Sequence, residues 1–479
     1  MSLARRVFVR TYGCQMNVHD SEKLTNLLLH DGWVAAEGLE DASLLLINTC
    51  SIRDKAEHQL YSDLGALREW RDAAPGRAIA VGGCVAQQAG DAILRRFPQV
   101  DFVFGTHNLR LVPELARAAA EGRRSARVEE RPSQDRFDLP ERHPDTEGAT
   151  PGRAFVTVME GCDLFCSFCI VPRTRGREIS RPADAILTEA AALVARGVRE
   201  ITLLGQTVNA YGRHDRRRGR AEAAGTLPFA ELLARLAQIP GLARLRYTSP
   251  HPVFFDRELA RAHRELAPLC PHVHLPLQSG SDAVLQRMRR RYTRDEYRRV
   301  VDELRAARPE IALTTDLIVG FPGETEAEFR DTLALVREVG FVDAYSFRYS
   351  PRPGTAAALD PDPVPRELAQ ARLEQLQALL GELTRAALHA RVGERTEVLV
   401  AGPSRQGGSQ LSGRDPYHRV VNFEADPALA PPGSLVHVRL VAATPRSLLG
   451  RLEPAPGPRP VKARTARADE LIQILDTRP

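Results

Sequence analysis

Six of the seven cysteines in this chain fall into two groups of three. Cys162, Cys166 and Cys169 share one short stretch, EGCDLFCSFC, with the spacing Cys-x3-Cys-x2-Cys. Cys14, Cys50 and Cys84 are far apart in sequence but sit in similar settings, TYGC, INTC and VGGC. Thiolates are the natural ligands of iron–sulfur clusters. A short loop that gives three ligands to a four-iron cube leaves one iron open for a substrate or cofactor, by the logic of an open catalytic metal position. Structural zinc is the alternative: it takes four closed ligands, and a His or Asp would have to complete each set. Thiols packed without metal are a third reading. Cys270 matches neither group and reads as a buried small hydrophobe ahead of a strand.

Each cysteine of the dispersed group follows an apolar run, at residues 7–10, 44–48 and 78–81, and a fourth run lies at 102–104. Amphipathic stretches at 21–30, 55–71, 86–96 and 111–120 read as helices between them. The βαβα alternation predicts an open, mostly parallel α/β sheet with helices on both faces. Parallel strands bring their C-terminal ends to one edge, where such sheets bind ligands, so the three cysteines can converge. Gly13, Gly82 and Gly83 would let backbone approach a bulky group closely.

Residues 121–152 are charged, contain prolines and lack an apolar period, so they read as a linker. A second βα series begins at Arg153. Strands are expected at 154–159, 200–204, 244–248, 272–275, 312–319 and 344–349, with helices at 183–196, 230–238, 283–290, 294–307 and 326–339. Six βα units fit a partial (βα)6 barrel, since a full eight-unit barrel takes about 250 residues. Chemistry in such barrels lies at the C-terminal ends of the strands, and the Cys162–Cys169 stretch follows the first strand directly. The Arg-rich interruption at 213–225 reads as a solvated insertion or a phosphate-contacting loop. A long amphipathic helix within 361–391 is followed by short strands separated by Gly, Pro and Asp, which predict a small all-β barrel. The expected organisation is therefore 5–120 (α/β domain), 121–152 (linker), 153–390 (partial barrel), 391–454 (β-barrel) and 455–479 (Pro- and Ala-rich, read as disordered).

The formal net charge of +5 is short of that of a protein that coats nucleic acid. Lysine occurs only at 23, 55 and 462, so nearly all of the 66 basic residues are Arg. Base composition of the genome accounts for that, although Arg suits bidentate phosphate recognition wherever it clusters. No stretch of about 18 uncharged apolar residues exists, and the N-terminal segment lacks the features of a secretory signal. The reading is a cytoplasmic protein with no membrane partner, in a compartment that keeps thiols reduced.

The Cys-x3-Cys-x2-Cys loop, with Phe168 before its last cysteine, resembles the radical S-adenosylmethionine (SAM) superfamily. TYGCQMN, INTCSIRDKAE, VGGCVAQ, EGCDLFCSFCIVPRTRGREISR, LLGQTVNAYG, HLPLQSGSD, TTDLIVGFPGET and YSPRPGTAA extend the resemblance, from about residue 5 to about 453, to the methylthiotransferases. The tRNA branch, the MiaB-type enzymes, is the most similar. The resemblance implies two [4Fe–4S] clusters: an auxiliary one on Cys14, Cys50 and Cys84, and one on Cys162, Cys166 and Cys169 that binds SAM at its open iron. It also implies a TRAM barrel that holds RNA. Phe168 would pack on the SAM adenine. Gly205 and Gln206 would meet the methionine amino group, Gln278 and Ser279 the ribose, and Asp316 would face the site. Arg173, Arg175 and Arg177 would meet the SAM carboxylate or RNA phosphate. Gly320, Pro322 and Gly323 read as turn formers.

The reaction implied is methylthiolation at C2 of N(6)-dimethylallyladenosine beside the tRNA anticodon. One SAM would methylate a sulfur on the auxiliary cluster, and a second would yield the 5′-deoxyadenosyl radical. The partners implied are a tRNA anticodon stem-loop, an electron donor protein and a sulfur or cluster donor, with the protein acting as a monomer. Sister branches act on a ribosomal-protein aspartate or on threonylcarbamoyl-adenosine, and the GCQMN and TCSIR contexts favour the dimethylallyl branch. A non-catalytic iron–sulfur protein that binds RNA is the rival from another class, and the intact Cys-x3-Cys-x2-Cys loop speaks against it.

Overall fold

The computed structural model describes residues 5–51, 54–131, 133–143, 150–213, 225–405 and 407–454. The tail at 455–479 and most of the 213–225 insertion lie outside the described residues. The described chain divides into two compact units. The first is drawn from Met1–Ala149 with Glu160–Asp163 and Ile170–Ile179; the second holds the remainder.

In the first unit the apolar runs form parallel strands. They are β1 (Arg6–Tyr12), β2 (Val34–Ala35), β3 (Leu44–Thr49), β4 (Ala78–Gly83), β5 (Phe102–Phe104) and β6 (Ser125–Arg127), in the order β2-β1-β3-β4-β5-β6. Every residue of β3, β4 and β5 is buried, as expected of parallel strands covered on both faces. Alternate residues feed two cores. Leu44, Leu46 and Phe102 pack with Leu24 and Leu28 of α1 (Gln15–His30) and with Leu115 of the helix Val112–Ala120. Leu45, Ile47, Ile79 and Val81 pack with Leu60 and Leu64 of α2 (Asp54–Asp72).

Two expectations change here. The helix expected at 86–96 is divided into α3 (Cys84–Ala89) and α4 (Asp91–Arg96) by Gly90, whose φ is +49°. The segment at 121–152 is more than a linker: Ser125–Arg127 is the sheet's edge strand, and Arg136 is buried against Glu160. Its charged composition hid a three-residue strand too short to show a period.

The second unit begins with six parallel strands. They are β7 (Arg153–Thr157), β8 (Glu200–Leu204), β9 (Arg244–Tyr247), β10 (His272–His274), β11 (Ala312–Val319) and β12 (Asp343–Arg348). They form two three-stranded sheets, β9-β8-β7 and β10-β11-β12, joined by a single parallel bridge from Leu245 to Leu269. On β11, Leu313, Leu317 and Val319 enter the core under the outer helices, while Thr314, Asp316 and Ile318 stay half-buried on the opposite face. The helices Arg294–Ala307 and Glu326–Val339 open with capping boxes, Thr293 with Glu296 and Thr325 with Glu328, and these fix where the chain turns back.

After the helix Arg366–His389, five strands close into a barrel. They are β13 (Arg395–Pro403), β14 (Gln410–Arg414), β15 (Val420–Glu424), β16 (Leu435–Ala443) and β17 (Leu448–Glu453), around Val398, Val400, Val421, Phe423, Val438 and Leu448. This barrel abuts the N-terminal ends of the parallel strands through buried charge. Glu200, the first residue of β8, is fully buried among Arg153 (2.8 Å), Arg246 (3.2 Å) and Arg244 (3.6 Å). Arg244 also donates to the carbonyls of Arg414 and Glu397, and Arg246 to that of Asp415. Arg419 pairs with Asp343 at 2.9 Å, and His272 stacks on His418.

Burial alone would raise the Glu200 carboxyl, but Arg246, Arg153 and Arg244 outweigh it and hold the group below the usual carboxylate range. Its contribution to stability is therefore complete above the unfolded value, about pH 4.3, and is lost as pH falls through the lower folded value. Glu200→Gln, which strands three arginines, is expected to destabilise the protein by about 3–5 kcal/mol at pH 7. The difference from wild type should shrink below about pH 4. Urea unfolding across this range checks both expectations, and equal stability at pH 7 would contradict them.

Candidate cluster sites

The register of the first sheet sets the dispersed cysteines side by side. Tyr12 lies opposite Thr49, and Thr49 opposite Gly83. Cys14, Cys50 and Cys84 each stand one or two residues beyond that row, on three adjacent strands. Cys14 caps the N-terminus of α1, and Cys84 is the first residue of α3. The Cys50 thiol hydrogen-bonds with both other sulfurs. Glycine permits the approach: a Cβ on Gly13 would come within 2.5 Å of the Cys50 Cβ, and one on Gly83 within 2.3 Å of the Thr49 carbonyl oxygen.

Two buried asparagines lock the loops together. Asn17 accepts from the Cys14 thiol at 3.2 Å and donates to Asn48 Oδ1 and to the Thr49 carbonyl. Asn48 donates back to the Asn17 carbonyl at 2.8 Å and to Ser21 Oγ at 3.0 Å.

The thiols separate electrostatically. The hydrogen bond from Cys50 lowers Cys14 to about 6, against burial and with help from Arg175 and the backbone N–H groups of Asn17 and Met16. The same interaction, again with Arg175, lowers Cys84 to about 7. Cys50, paired with both neighbouring sulfurs and buried, is pushed up. Thiolate is the ligand form of cysteine, and both lowered thiols sit at helix N-termini, where negative charge is favoured. Among the described residues no three His, Cys, Asp or Glu side chains close on one point as around a single ion. A four-iron cube instead takes each thiolate on a different iron, and three mutually facing thiols in a glycine-lined cradle fit that group.

The Cys162–Cys169 loop changes unit within itself: Cys162 belongs to the first, Cys166 and Cys169 to the second. In the first unit, Cys162 N–H donates to the Gly176 carbonyl at 3.2 Å, and a Cβ on Gly161 would come within 2.1 Å of the Arg177 carbonyl oxygen. Glu160 is buried there, and although burial opposes ionisation, Arg136 (2.6 Å) and Lys23 (3.6 Å) hold it as carboxylate. In the second unit, Phe165 adopts a positive φ of +52°, and Cys169 N–H donates to the Cys166 carbonyl at 3.1 Å. Ser167 is pinned to the Met288 and Arg287 carbonyls. The buried Arg290 donates to Cys166 Sγ at 3.5 Å and to the Pro276 carbonyl at 3.2 Å.

The other expected site residues are placed as follows. Phe168 packs edge-on against Phe321 in a small apolar cluster with Met288 and Tyr349. Gly205 follows β8, where a Cβ would lie 2.6 Å from Met159 Cγ, and Gln206 is next to it. Gln278, at φ +71°, donates its N–H to the Asp316 carbonyl, so the loop after β10 stands beside Asp316 in the middle of β11. Asp316 pairs with His274 at 3.3 Å. Ser279 is fully buried, bonded to Thr332 and accepting from the N–H of Ser281, the residue that caps the helix Asp282–Arg287. Gly320 and Gly323 both have φ of +69°, as turns require. Cys270 is buried, and burial pushes its thiol up.

The three arginines part company. Arg173 is exposed and Arg177 pairs with Asp163. Arg175 is only 3% exposed and bonds to Asp20 of α1 at 2.7 Å, so it belongs to the setting of Cys14 and Cys84. Sequence reasoning missed Arg290, Asp20, Asn17 and Asn48. The asparagines were within reach, since they stand inside the TYGCQMN and INTC motifs. Arg290 and Asp20 gave no signal, because their contacts join segments more than a hundred residues apart.

Residues 156–336 match the model of the radical SAM superfamily, 6–105 that of an uncharacterized protein family, UPF0004, and 389–452 that of the TRAM domain. Among solved structures, a radical S-adenosylmethionine methyltransferase, TsrM, from Kitasatospora setae shares the fold. Its TM-score is 0.54 at 17% identity, over 74% of this chain and 75% of that one. The partial barrel with its cysteine loop is thus that of a radical SAM enzyme. The tRNA-2-methylthio-N(6)-dimethylallyladenosine synthase of Geobacter metallireducens is 49% identical over 453 residues, covering 94% of this chain and 99% of its own. That of Cereibacter sphaeroides is 49% identical over 451 residues (94% and 99%), and that of Burkholderia mallei 46% over 464 (95% and 98%). The chain belongs to this family of tRNA-2-methylthio-N(6)-dimethylallyladenosine synthases.

Gly83→Ala should disturb the first cradle directly. It is expected to cost about 1–3 kcal/mol of stability and to lower the iron taken up on reconstitution. Thermal unfolding and iron analysis of the variant check this, and unchanged values in both would contradict the cradle's tightness.

Proposed function

We propose that this protein is a tRNA methylthiotransferase that converts N(6)-dimethylallyladenosine, beside the anticodon, into its 2-methylthio derivative. The observation that carries the reading is one chain with two three-cysteine groups, one of them Cys-x3-Cys-x2-Cys after the first strand of a partial barrel. Relatives named for this reaction match it nearly end to end. The C2–H bond of an adenine has no useful acidity, so a general base would not open it, and a radical route is required.

When bound, the two clusters supply one-electron cleavage of SAM and a sulfur to be methylated and transferred. The residues of the chain have separate tasks. Cys162, Cys166 and Cys169 would hold one cluster and leave an iron for SAM; Cys14, Cys50 and Cys84 would hold the other. Phe168, Gly205, Gln206, Gln278 and Asp316 would position SAM at the strand ends. Ser279, committed to Thr332, would support the Gln278 turn rather than touch the ribose. Arg290 would fix the Cys166 side of its loop.

The tRNA would be held by the TRAM barrel at 391–454, after an α/β domain at 5–120 and a radical SAM core at 153–390. Anticodon-loop bases are single-stranded, so the target can be splayed into a pocket at less cost than a base in a duplex. An electron donor protein and a sulfur or cluster donor complete the cycle, in the cytoplasm, with the enzyme as a monomer.

Mass spectrometry of tRNA nucleosides from cells lacking the protein should show N(6)-dimethylallyladenosine in place of its 2-methylthio form. Persistence of the methylthio nucleoside would overturn the assignment. Cys50→Ala should abolish methylthiolation while 5′-deoxyadenosine is still formed from SAM under dithionite. Loss of both activities would mean that the two sites do not act separately.

A further inference from the structure

Arg175 is an unusual residue to bury. Its guanidinium is 3% exposed, one arm is fixed to Asp20 at 2.7 Å, and Nη1 has no hydrogen-bond partner. A stranded N–H of a buried cation costs stability unless something occupies the space before it. Two elements deliver Arg175 to the edge where the dispersed cysteines meet. Asp20 stands on α1, the helix capped by Cys14. The helix Val171–Thr174, immediately before Arg175, packs on α3, which begins with Cys84. Thr106 holds the turn by donating its hydroxyl to the Thr174 carbonyl, and a Cβ on Gly176 would lie 2.7 Å from the His107 ring.

Glu160 is bound by Arg136 and Lys23, and Asp20 by Arg175 and, more distantly, by Lys23 at 3.9 Å. Around these two carboxylates stand three cations, Arg136, Lys23 and Arg175.

We infer that Arg175 is a positioning residue that supplies a fixed positive charge to the iron–sulfur centre held by Cys14, Cys50 and Cys84, with Asp20 holding its side chain in place. The inference rests on the reading that these cysteines bind a cluster. A buried cation stabilises the reduced, more negative state of the centre, so it raises the reduction potential. A merely structural Arg175–Asp20 pair would leave the potential where it is.

The test uses the full chain carrying Cys162→Ala, Cys166→Ala and Cys169→Ala, so that only the dispersed site is loaded. The probe is iron and sulfide, reconstituted anaerobically, with potentiometric titration followed by electron paramagnetic resonance. Arg175→Gln should make reduction roughly tenfold less favourable, about 59 mV for one electron. Arg175→Lys, which keeps the charge, should stay near the parent, and Asp20→Asn should shift the potential the other way. An unmoved potential in Arg175→Gln at full iron content, or an Arg175→Lys that falls as far, overturns the inference. If Arg175→Gln does not hold the cluster, Asp20→Asn decides: a positive shift supports the role, and no shift overturns it. Failure of the parent itself to take up iron and sulfide would instead overturn the cluster reading beneath it.

Discussion

Three thiols, Cys14, Cys50 and Cys84, are held against one another out of water at one edge of the first unit's sheet, and as cluster ligands they would carry negative charge. Unaided burial would keep each thiol neutral. The chain opposes this with helix N-termini at Cys14 and Cys84, with backbone N–H groups aimed at Cys14, and with the buried cation of Arg175. Close approach is a second demand. It is met by an in-register parallel sheet, whose strand ends arrive together, and by glycines at positions where any side chain would strike a neighbour.

The Cys162–Cys169 stretch uses a different arrangement: its cysteines are adjacent in sequence, so no sheet register is needed to gather them. What the stretch needs is support, and it comes from residues late in the barrel. Arg290 reaches back to Cys166, and the Ser167 loop is tied to the turn at Arg287 and Met288. The opposite end of the barrel carries no such chemistry. There, buried arginines gathered on Glu200 and Asp415 join the parallel strands to the five-stranded barrel, so that barrel is fixed at the end remote from the cysteine loop.

Much of this was legible in the sequence because periodicity and covalent spacing carry it. The parallel strands announced themselves as apolar runs, the five short strands as segments between Gly, Pro and Asp, and the six cysteines as two sets. Contacts between remote segments were not legible. Arg175 stands in a loop whose exposed arginines it resembles by composition, yet its burial depends on Asp20, more than 150 residues earlier. The bonds of Ser279 to Thr332 and to the N–H of Ser281 were likewise hidden from its motif, because Thr332 lies 53 residues further on. The edge strand Ser125–Arg127 was invisible for another reason: three residues, mostly polar, carry no period.

The account stands on two cluster sites in one chain that fill independently. Iron and acid-labile sulfide per chain, measured after anaerobic reconstitution, test this most directly. Wild type should hold about eight of each, as two four-iron cubes require. Alanine replacement of either cysteine triad should leave about four. A wild-type protein with about four irons, or a triad variant that loses all of them, would contradict it.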